Sequence, residues 1–87
     1  MELQELMSKV LEKNKNISRD KPYITLGLAE EVGRLSKLVL SGKGASNKYK
    51  VKMIIKSILV YSIILCDLEK ITLSSIFDEI STETIQA

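Results

Sequence analysis

The side chains best suited to hold a metal ion stand close together in the segment GLAEEVGRLSKLV, residues 27–39. Glu30 and Glu31 are adjacent carboxylates on a predicted helix, and hard oxygen ligands of this kind suit Mg²⁺. Arg34, however, occupies the position where a further acid on the same helical face would complete a metal cluster. The plainer interpretation is a surface ion pair between these acids and Arg34, which stabilises a helix by about 0.2–0.5 kcal/mol. The spacing favours the ion pair over catalysis.

The composition excludes several other kinds of catalytic and metal site. The 87 residues include no His and a single Cys, Cys66. Histidine-based nucleophile systems, histidine metal ligands, cysteine zinc clusters and internal disulfides are therefore excluded. Cys66 lies in an apolar run, which indicates core packing rather than a reactive thiol.

The length and composition predict one small domain that spans residues 1–87. With 45% apolar and 28% charged residues, the chain is typical of a folded protein. A chain this short buries a small core, so self-association is a common way to complete it. The longest apolar run, residues 58–66, is about half of what a membrane span needs. We therefore expect a soluble, cytoplasmic protein with no membrane partner.

Hydrophobic periodicity predicts the first two helices. The first is amphipathic, with apolar residues at helical spacing at Leu3, Leu6, Met7, Val10 and Leu11. The second runs from about Tyr23 to Leu40, with Asp20 as its N-cap and Pro22 near its start. Its expected buried stripe is Leu28, Val32, Leu35 and Val39. It ends at SGKGASN, where Gly42 and Gly44 permit the backbone angles of a helix end.

Two more helices and a tail complete the predicted fold. The third helix runs from about Lys48 to Glu69 and is apolar nearly all round in its second half, so more than one of its faces must be covered. Thr72 caps a short last helix from Leu73 to about Ile80. The residues expected to face inward there are Ile76, Phe77 and Ile80, and residues 81–87 are expected to fray. The fold class is all-α: a small bundle of three long or medium helices plus a short C-terminal helix, completed by oligomerisation.

Three segments, in this order, resemble the MazG-like branch of the all-α nucleoside triphosphate pyrophosphatases. They are ELQELMSKVLEK, AEEVGRLSKLVLSG and MIIKSILVYSIILCDLEKITLSSIFDEI, and they cover nearly the whole chain. The second is similar to the family's E-E-x-G-E-L helix, and the third to its E-x-x-D-V-L-x-Y/W helix with the turn and final helix that follow. The resemblance implies a helical dimer or tetramer that hydrolyses nucleoside triphosphates with Mg²⁺ held by four acids.

Most of that ligand set is missing from this chain. Glu31 matches the first acid and Glu30 the acid beside it, whereas Arg34, Ile54 and Ser57 stand at the other three ligand positions. Asp67 falls near a downstream polar position that some members use for substrate. A guanidinium about 6 Å from a divalent ion would oppose its binding by roughly 5 kcal/mol at an effective dielectric near 20. The departures predict a protein that has lost Mg²⁺-dependent hydrolysis, needs no cofactor and acts as a binding or regulatory oligomer, with a nucleotide or another anion as a candidate ligand.

One alternative is an active nucleoside triphosphate pyrophosphohydrolase with a rearranged Mg²⁺ site. Such a site would use Glu30, Glu31, Asp67 and Glu69, within one subunit or between subunits. Carboxylates from separate helices can share one Mg²⁺ and position a water against the triphosphate.

A second alternative is a helical adaptor that binds nucleic acid or an acidic partner through a lysine-rich segment. Residues 32–66 contain no acid and seven cations: Arg34, Lys37, Lys43, Lys48, Lys50, Lys52 and Lys56. The candidate anion-binding residues among them are Lys48, Lys50, Lys52 and Lys56. A solvated lysine-rich face is the plainer interpretation, because the net charge of the chain is only +2. The glycines of GKGASNK lack the preceding strand and the full Walker spacing, so this segment is expected to be a simple connection.

Overall fold

The computed structural model describes residues 2–42 and 47–83, which form four α-helices. These are α1 (Leu3–Lys13), α2 (Lys21–Leu40), α3 (Lys48–Leu68) and α4 (Leu73–Thr82). The described ranges include no strand, which confirms the all-α fold class. None of the helices in these ranges is long and apolar enough to cross a membrane.

Local hydrogen bonds explain where α2 begins and ends. The Asp20 carboxylate accepts a hydrogen bond from the Tyr23 amide at 3.1 Å, as the predicted N-cap requires. The helix begins at Lys21, two residues before the predicted Tyr23, because a cap at Asp20 places Pro22 within the first turn. After the last helical residue, Gly42 adopts a φ of +76°, a left-handed conformation that glycine reaches without a Cβ clash. The predicted roles of Asp20 and Gly42 are confirmed, whereas Lys43 and Gly44 lie outside the described residues.

The last helix extends beyond its predicted end. The Thr72 hydroxyl accepts a hydrogen bond from the Ser75 amide at 3.3 Å and caps α4 as expected. The helix continues to Thr82 rather than ending near Ile80. The hydroxyls of Ser81 and Thr82 donate to the Asp78 carbonyl at 2.8 and 2.9 Å, within the last turn of α4. Residues 84–87 of the predicted tail lie outside the described ranges.

The main packing unit is the antiparallel pair of α2 and α3. Lys21 at the start of α2 pairs with Glu69, just after the end of α3, with Nζ and Oε1 2.7 Å apart. The Tyr61 ring packs directly against the backbone at Gly27, where a Cβ would lie 3.0 Å from the ring Cζ. The missing side chain at residue 27 therefore lets the two helices approach closely.

The core of the single chain is small. α1 packs against α3, and α4 packs against α1. The buried apolar side chains of the described residues come one from each helix: Met7, Ile24, Ile64 and Leu73, of which Ile24 and Ile64 are fully buried. All other apolar side chains in these ranges retain some exposure, because each helix is covered on only part of its circumference.

Several predicted core positions are wrong for the single chain. On α2, Ile24 is fully buried, Leu28 and Leu35 are half-buried, and Val32 and Val39 are 45% and 54% exposed. On α4, Ile76 is half-buried, whereas Phe77 and Ile80 are about half exposed; on α1, Leu6 is also exposed. The physical reason is that, within residues 2–42 and 47–83, no other helix lies against those sides of α1, α2 and α4. Helical periodicity identifies an apolar side, but the neighbouring helices decide whether that side is covered.

Candidate anion-binding groove

A groove with a volume of about 560 Å³ lies between α2 and α3. This volume is within the range of about 300–1,000 Å³ that is typical of small-molecule sites. Its lining residues are Glu31, Arg34, Lys37, Leu38, Ser41, Lys50, Met53, Ile54 and Ser57. Those on α2 recur every three or four positions, so the helical repeat places them on one side of α2.

The charge of the groove is positive. Arg34, Lys37 and Lys50 contribute three cations, against the single carboxylate of Glu31. That carboxylate is largely buried and lies 3.4 Å from Arg34 Nη1, while Glu30 Oε1 lies 3.3 Å from Nη2 of the same guanidinium. The expected ion pair is therefore present. Because Arg34 is paired with these acids, the excess positive charge that attracts anions to the groove comes from Lys37 and Lys50.

The floor of the groove is apolar, and its hydroxyl groups are engaged by the helices. Leu38, Met53 and Ile54 supply the apolar surface. The Ser41 hydroxyl donates to the Leu38 carbonyl at 2.8 Å, and the Ser57 hydroxyl donates to the Met53 carbonyl at 3.2 Å. Both serines thus satisfy carbonyls of their own helices rather than point a free proton into the groove.

The four positions that the family resemblance aligns with metal ligands all line this groove. They are Glu31, Arg34, Ile54 and Ser57, and they offer one carboxylate, a cation, an aliphatic group and a hydroxyl. No three His, Cys, Asp or Glu side chains within residues 2–42 and 47–83 are grouped as metal ligands would be. The donor set of this groove therefore does not fit Mg²⁺, which binds through several hard oxygen ligands.

The carboxylates of the rearranged-site alternative do not meet within one chain. Glu69 pairs with Lys21 at the first residue of α2. Glu30 and Glu31 lie nine and ten residues further along the same helix, which corresponds to about 14–15 Å of helix rise. Asp67 is exposed near the distant end of α3. A site that takes these acids from two subunits stays a prediction.

The predicted anion-binding lysines divide into two groups. Lys50 lines the groove and Lys56 lines a smaller cavity that adjoins it, whereas Lys48 and Lys52 line neither and lie along another side of α3. Lys37 is a groove residue that the sequence reasoning did not predict. Its signal was the spacing, because a residue three positions after Arg34 lies on the same side of α2.

A smaller cavity of about 210 Å³ adjoins the groove. It is lined by Asn14, Ile17, Met53, Lys56, Ser57, Val60 and Tyr61. Met53 and Ser57 line both cavities, so these two side chains form the boundary between them. Together the cavities follow α3 from the groove to a smaller pocket beside the segment that follows α1, and that pocket is lined by one cation, Lys56, as well as by apolar side chains.

Comparison with protein-family models, with curated proteins and with solved structures finds no match to this chain. The resemblance to the MazG-like proteins accordingly rests on the motifs quoted above and on nothing else.

Proposed function

We propose that this chain is a MazG-like helical protein that binds an organic anion without a metal ion, as a binding or regulatory homo-oligomer, and that it does not hydrolyse nucleoside triphosphates. The observation that carries the proposal is the charge of the groove. Three cations line it against one carboxylate; Arg34 pairs with that carboxylate and with Glu30, so Lys37 and Lys50 supply the excess positive charge. A divalent cation placed there would face the Arg34 guanidinium with too few carboxylates to offset the repulsion.

An unpaired apolar surface supports self-association. We call it the back face and define it as Val32, Leu35 and Val39 of α2 with Ile55, Ile58 and Leu59 of α3. Each of these residues except Leu59 directly follows a groove residue in sequence. Consecutive residues of an α-helix are rotated by about 100° around its axis. On both helices of the antiparallel pair, this rotation moves from the groove, past the surface where the two helices touch, to the opposite side of the pair. The back face therefore lies away from the groove. On α3 it is bordered by Lys52 and Lys56, which stand three residues before Ile55 and Leu59.

The accessible surface and the radius of gyration of the single chain agree with packing against a second copy. Its accessible surface is 6750 Å², against about 5,200 Å² expected for a compact monomer of this mass. Its radius of gyration is 14.4 Å, against about 12 Å expected for a compact chain of this length. The difference in area exceeds the roughly 800 Å² that each partner buries in a standard interface. Two copies of the antiparallel α2–α3 pair, joined by their back faces, would form a four-helix core with two-fold symmetry.

Calorimetric titration with inorganic pyrophosphate in EDTA tests the metal-independent binding. We expect binding in EDTA and a loss of at least about tenfold in affinity for the variant Arg34→Gln/Lys37→Gln/Lys50→Gln, because all three cations are removed from the groove. The matched control is Lys9→Gln/Lys48→Gln/Lys52→Gln, which removes the same charge from residues that line neither cavity.

An activity assay tests the hydrolase alternative. The chain is incubated with a panel of ribo- and deoxyribonucleoside triphosphates and Mg²⁺ or Mn²⁺, and pyrophosphate release is measured. We expect none above background. Metal-dependent release that the Glu31→Gln variant abolishes would establish the hydrolase alternative instead.

The salt dependence of nucleic-acid binding distinguishes the adaptor alternative from the proposed function. Nucleic-acid binding that weakens steeply with salt and in a Lys48→Ala/Lys50→Ala/Lys52→Ala variant would favour it. The cytoplasmic location expected from the sequence stays a prediction.

A further inference from the structure

The two adjoining cavities indicate the chemical class of the anion. We propose that the ligand is amphipathic: an anionic head on a hydrocarbon chain, with the head at Arg34, Lys37 and Lys50 and the chain running past Met53 into the smaller cavity. This inference rests on the proposed metal-free anion site and specifies what that site binds. In this arrangement the negative charge of the ligand lies against the cations of the groove, and its hydrocarbon chain lies against apolar side chains.

The distribution of side chains along the cavities carries the first part of the argument. The cations Arg34, Lys37 and Lys50 line only the groove. Ile17 and Val60 line only the smaller cavity, and Met53 lies at the boundary. Lys56 is the one cation that lines the smaller cavity. A ligand that follows the cavities therefore passes from a surface with three cations to one where a single cation stands beside apolar side chains. Hydrocarbon buried against the apolar part contributes affinity in proportion to the area removed from water.

The polar groups of the cavities carry the second part, because they are few and mostly occupied. Ser41 and Ser57 donate to carbonyls of their own helices, and the Asn14 amide nitrogen donates to the Val10 carbonyl at 2.8 Å. The Asn14 amide oxygen and the Tyr61 hydroxyl are the neutral side-chain groups left to contact a ligand. A nucleotide would bring a ribose and a polar base edge into surroundings that cannot pair most of their hydrogen-bonding atoms, which lowers affinity. A hydrocarbon chain has no such requirement.

The test is calorimetric titration of the full chain, in EDTA, with butyl, hexyl and octyl phosphate below their aggregation concentrations, beside inorganic phosphate, AMP and octanoate. Each added CH₂ is expected to tighten binding by up to about fourfold, so octyl phosphate should bind at least about tenfold more tightly than butyl phosphate or AMP. The octanoate arm shows whether a carboxylate head serves as well as a phosphate head.

Two variants examine the two ends of the ligand separately. Arg34→Gln/Lys37→Gln/Lys50→Gln should weaken octyl phosphate at least about tenfold, whereas Lys9→Gln/Lys48→Gln/Lys52→Gln should not. Ile17→Trp fills the smaller cavity from a loop position. It should lower the affinity for octyl phosphate at least about fivefold and leave butyl phosphate unchanged. Circular dichroism of each variant shows that the helices are retained.

The outcomes distinguish this inference from the proposed function. Binding of phosphate or AMP through the three cations, with no gain from chain length, would overturn the amphipathic ligand and keep the anion site. Loss of all binding would overturn both. Octyl phosphate that binds only by dissociating an oligomer would identify the occupant of the groove as a second copy of the chain and overturn the small-molecule ligand.

Discussion

At the scale of single residues, Arg34 decides which chemistry the groove supports. Its guanidinium lies 3.3 Å from one Glu30 oxygen and 3.4 Å from one Glu31 oxygen. One side chain thus pairs with both adjacent carboxylates and adds a positive charge at the same place. Arg34 and Glu30 are exposed whereas Glu31 is largely buried, and pairs of helix neighbours of this kind contribute little to stability even though they affect ligand choice.

Among the described residues, the Arg19 side chain donates the most hydrogen bonds to the backbone. Its guanidinium donates to the carbonyls of Leu11, Asn14 and Ile17 at 3.2, 3.1 and 2.8 Å. The Leu11 carbonyl is one of the last of α1, which the helix itself cannot satisfy. Arg19 therefore holds the turn after α1 in place, and that turn supplies Asn14 and Ile17 to the smaller cavity.

We predict that Arg19→Ala lowers the free energy of unfolding by about 2 kcal/mol, because three carbonyls lose a charged donor. Arg19→Lys should have an intermediate effect, since an ammonium group cannot span the same three acceptors with the planar geometry of a guanidinium. Urea denaturation measures both. The control is Lys15→Ala, which removes only an exposed pair with Glu12 and should change stability by less than about 0.5 kcal/mol. Equal losses for Arg19→Ala and Lys15→Ala would contradict the role assigned to Arg19.

At the scale of the elements, the end of α3 has an unusual feature. Lys70 adopts a φ of +59°, in the left-handed region that glycine commonly occupies at a helix end. The Ile71 amide donates to the Cys66 carbonyl at 2.8 Å and the Lys70 amide to the Asp67 carbonyl at 3.1 Å. This is the hydrogen-bond pattern of a Schellman motif, with lysine in the glycine position. The motif turns the chain from α3 toward α4.

We predict that Lys70→Gly raises the free energy of unfolding by about 0.5–1 kcal/mol, because glycine relieves the left-handed strain that lysine bears. The matched change Lys52→Gly, at an exposed position inside α3, should lower it by about 1 kcal/mol, since glycine there only loses helix propensity. Thermal and urea unfolding of the two variants measure these changes in the free energy of unfolding, which are expected to have opposite signs. A loss of stability in Lys70→Gly comparable to that in Lys52→Gly would show that the motif bears no strain.

At the scale of the whole molecule, the packing leaves the chain with two different sides. α1 lies against α3 and α4 lies against α1, while no helix of the described residues covers the back face of α2 and α3. Within the described ranges the single chain buries one apolar side chain per helix. A core of that size is small for independent stability, and a second copy on the back face would enlarge it.

We predict a dimer in solution, with twice the chain mass of 9.8 kDa, when the molar mass is measured by light scattering after size-exclusion chromatography. Ile55→Glu places a charge in the middle of the back face and should shift the protein to monomers, because a buried unpaired carboxylate opposes association. Unfolding of the unmodified chain should shift to higher temperature as its concentration rises.

The control for this experiment is Leu26→Glu. Leu26 is 70% exposed on α2 but lies outside the back face. Its substitution should leave the dimer intact. Dissociation by Leu26→Glu and not by Ile55→Glu would move the interface to another side of α2, and monomers of the unmodified chain at high concentration would remove the dimer altogether.

The local features of the chain were accessible from sequence, and particular residues show why. The caps at Asp20 and Thr72 and the ion pair of Glu30 with Arg34 join residues three or four positions apart. Such contacts form wherever the helix forms, since its geometry brings those positions together. The same reasoning did not find Arg19, whose acceptors lie along an irregular turn, or the left-handed backbone at Lys70, where lysine gave no glycine signal.

By itself, the sequence determined that this protein is helical, that Asp20 and Thr72 cap α2 and α4, and that residues 32–66 hold cations without acids. These properties follow from composition and from interactions over one helical turn. Only the tertiary structure decided that Arg34 and Lys50 share a groove, that Tyr61 lies against Gly27, and that Val32 and Val39 are uncovered in one chain. Those outcomes depend on how residues of different helices pack, because burial is set by the neighbouring surface and not by periodicity along one helix.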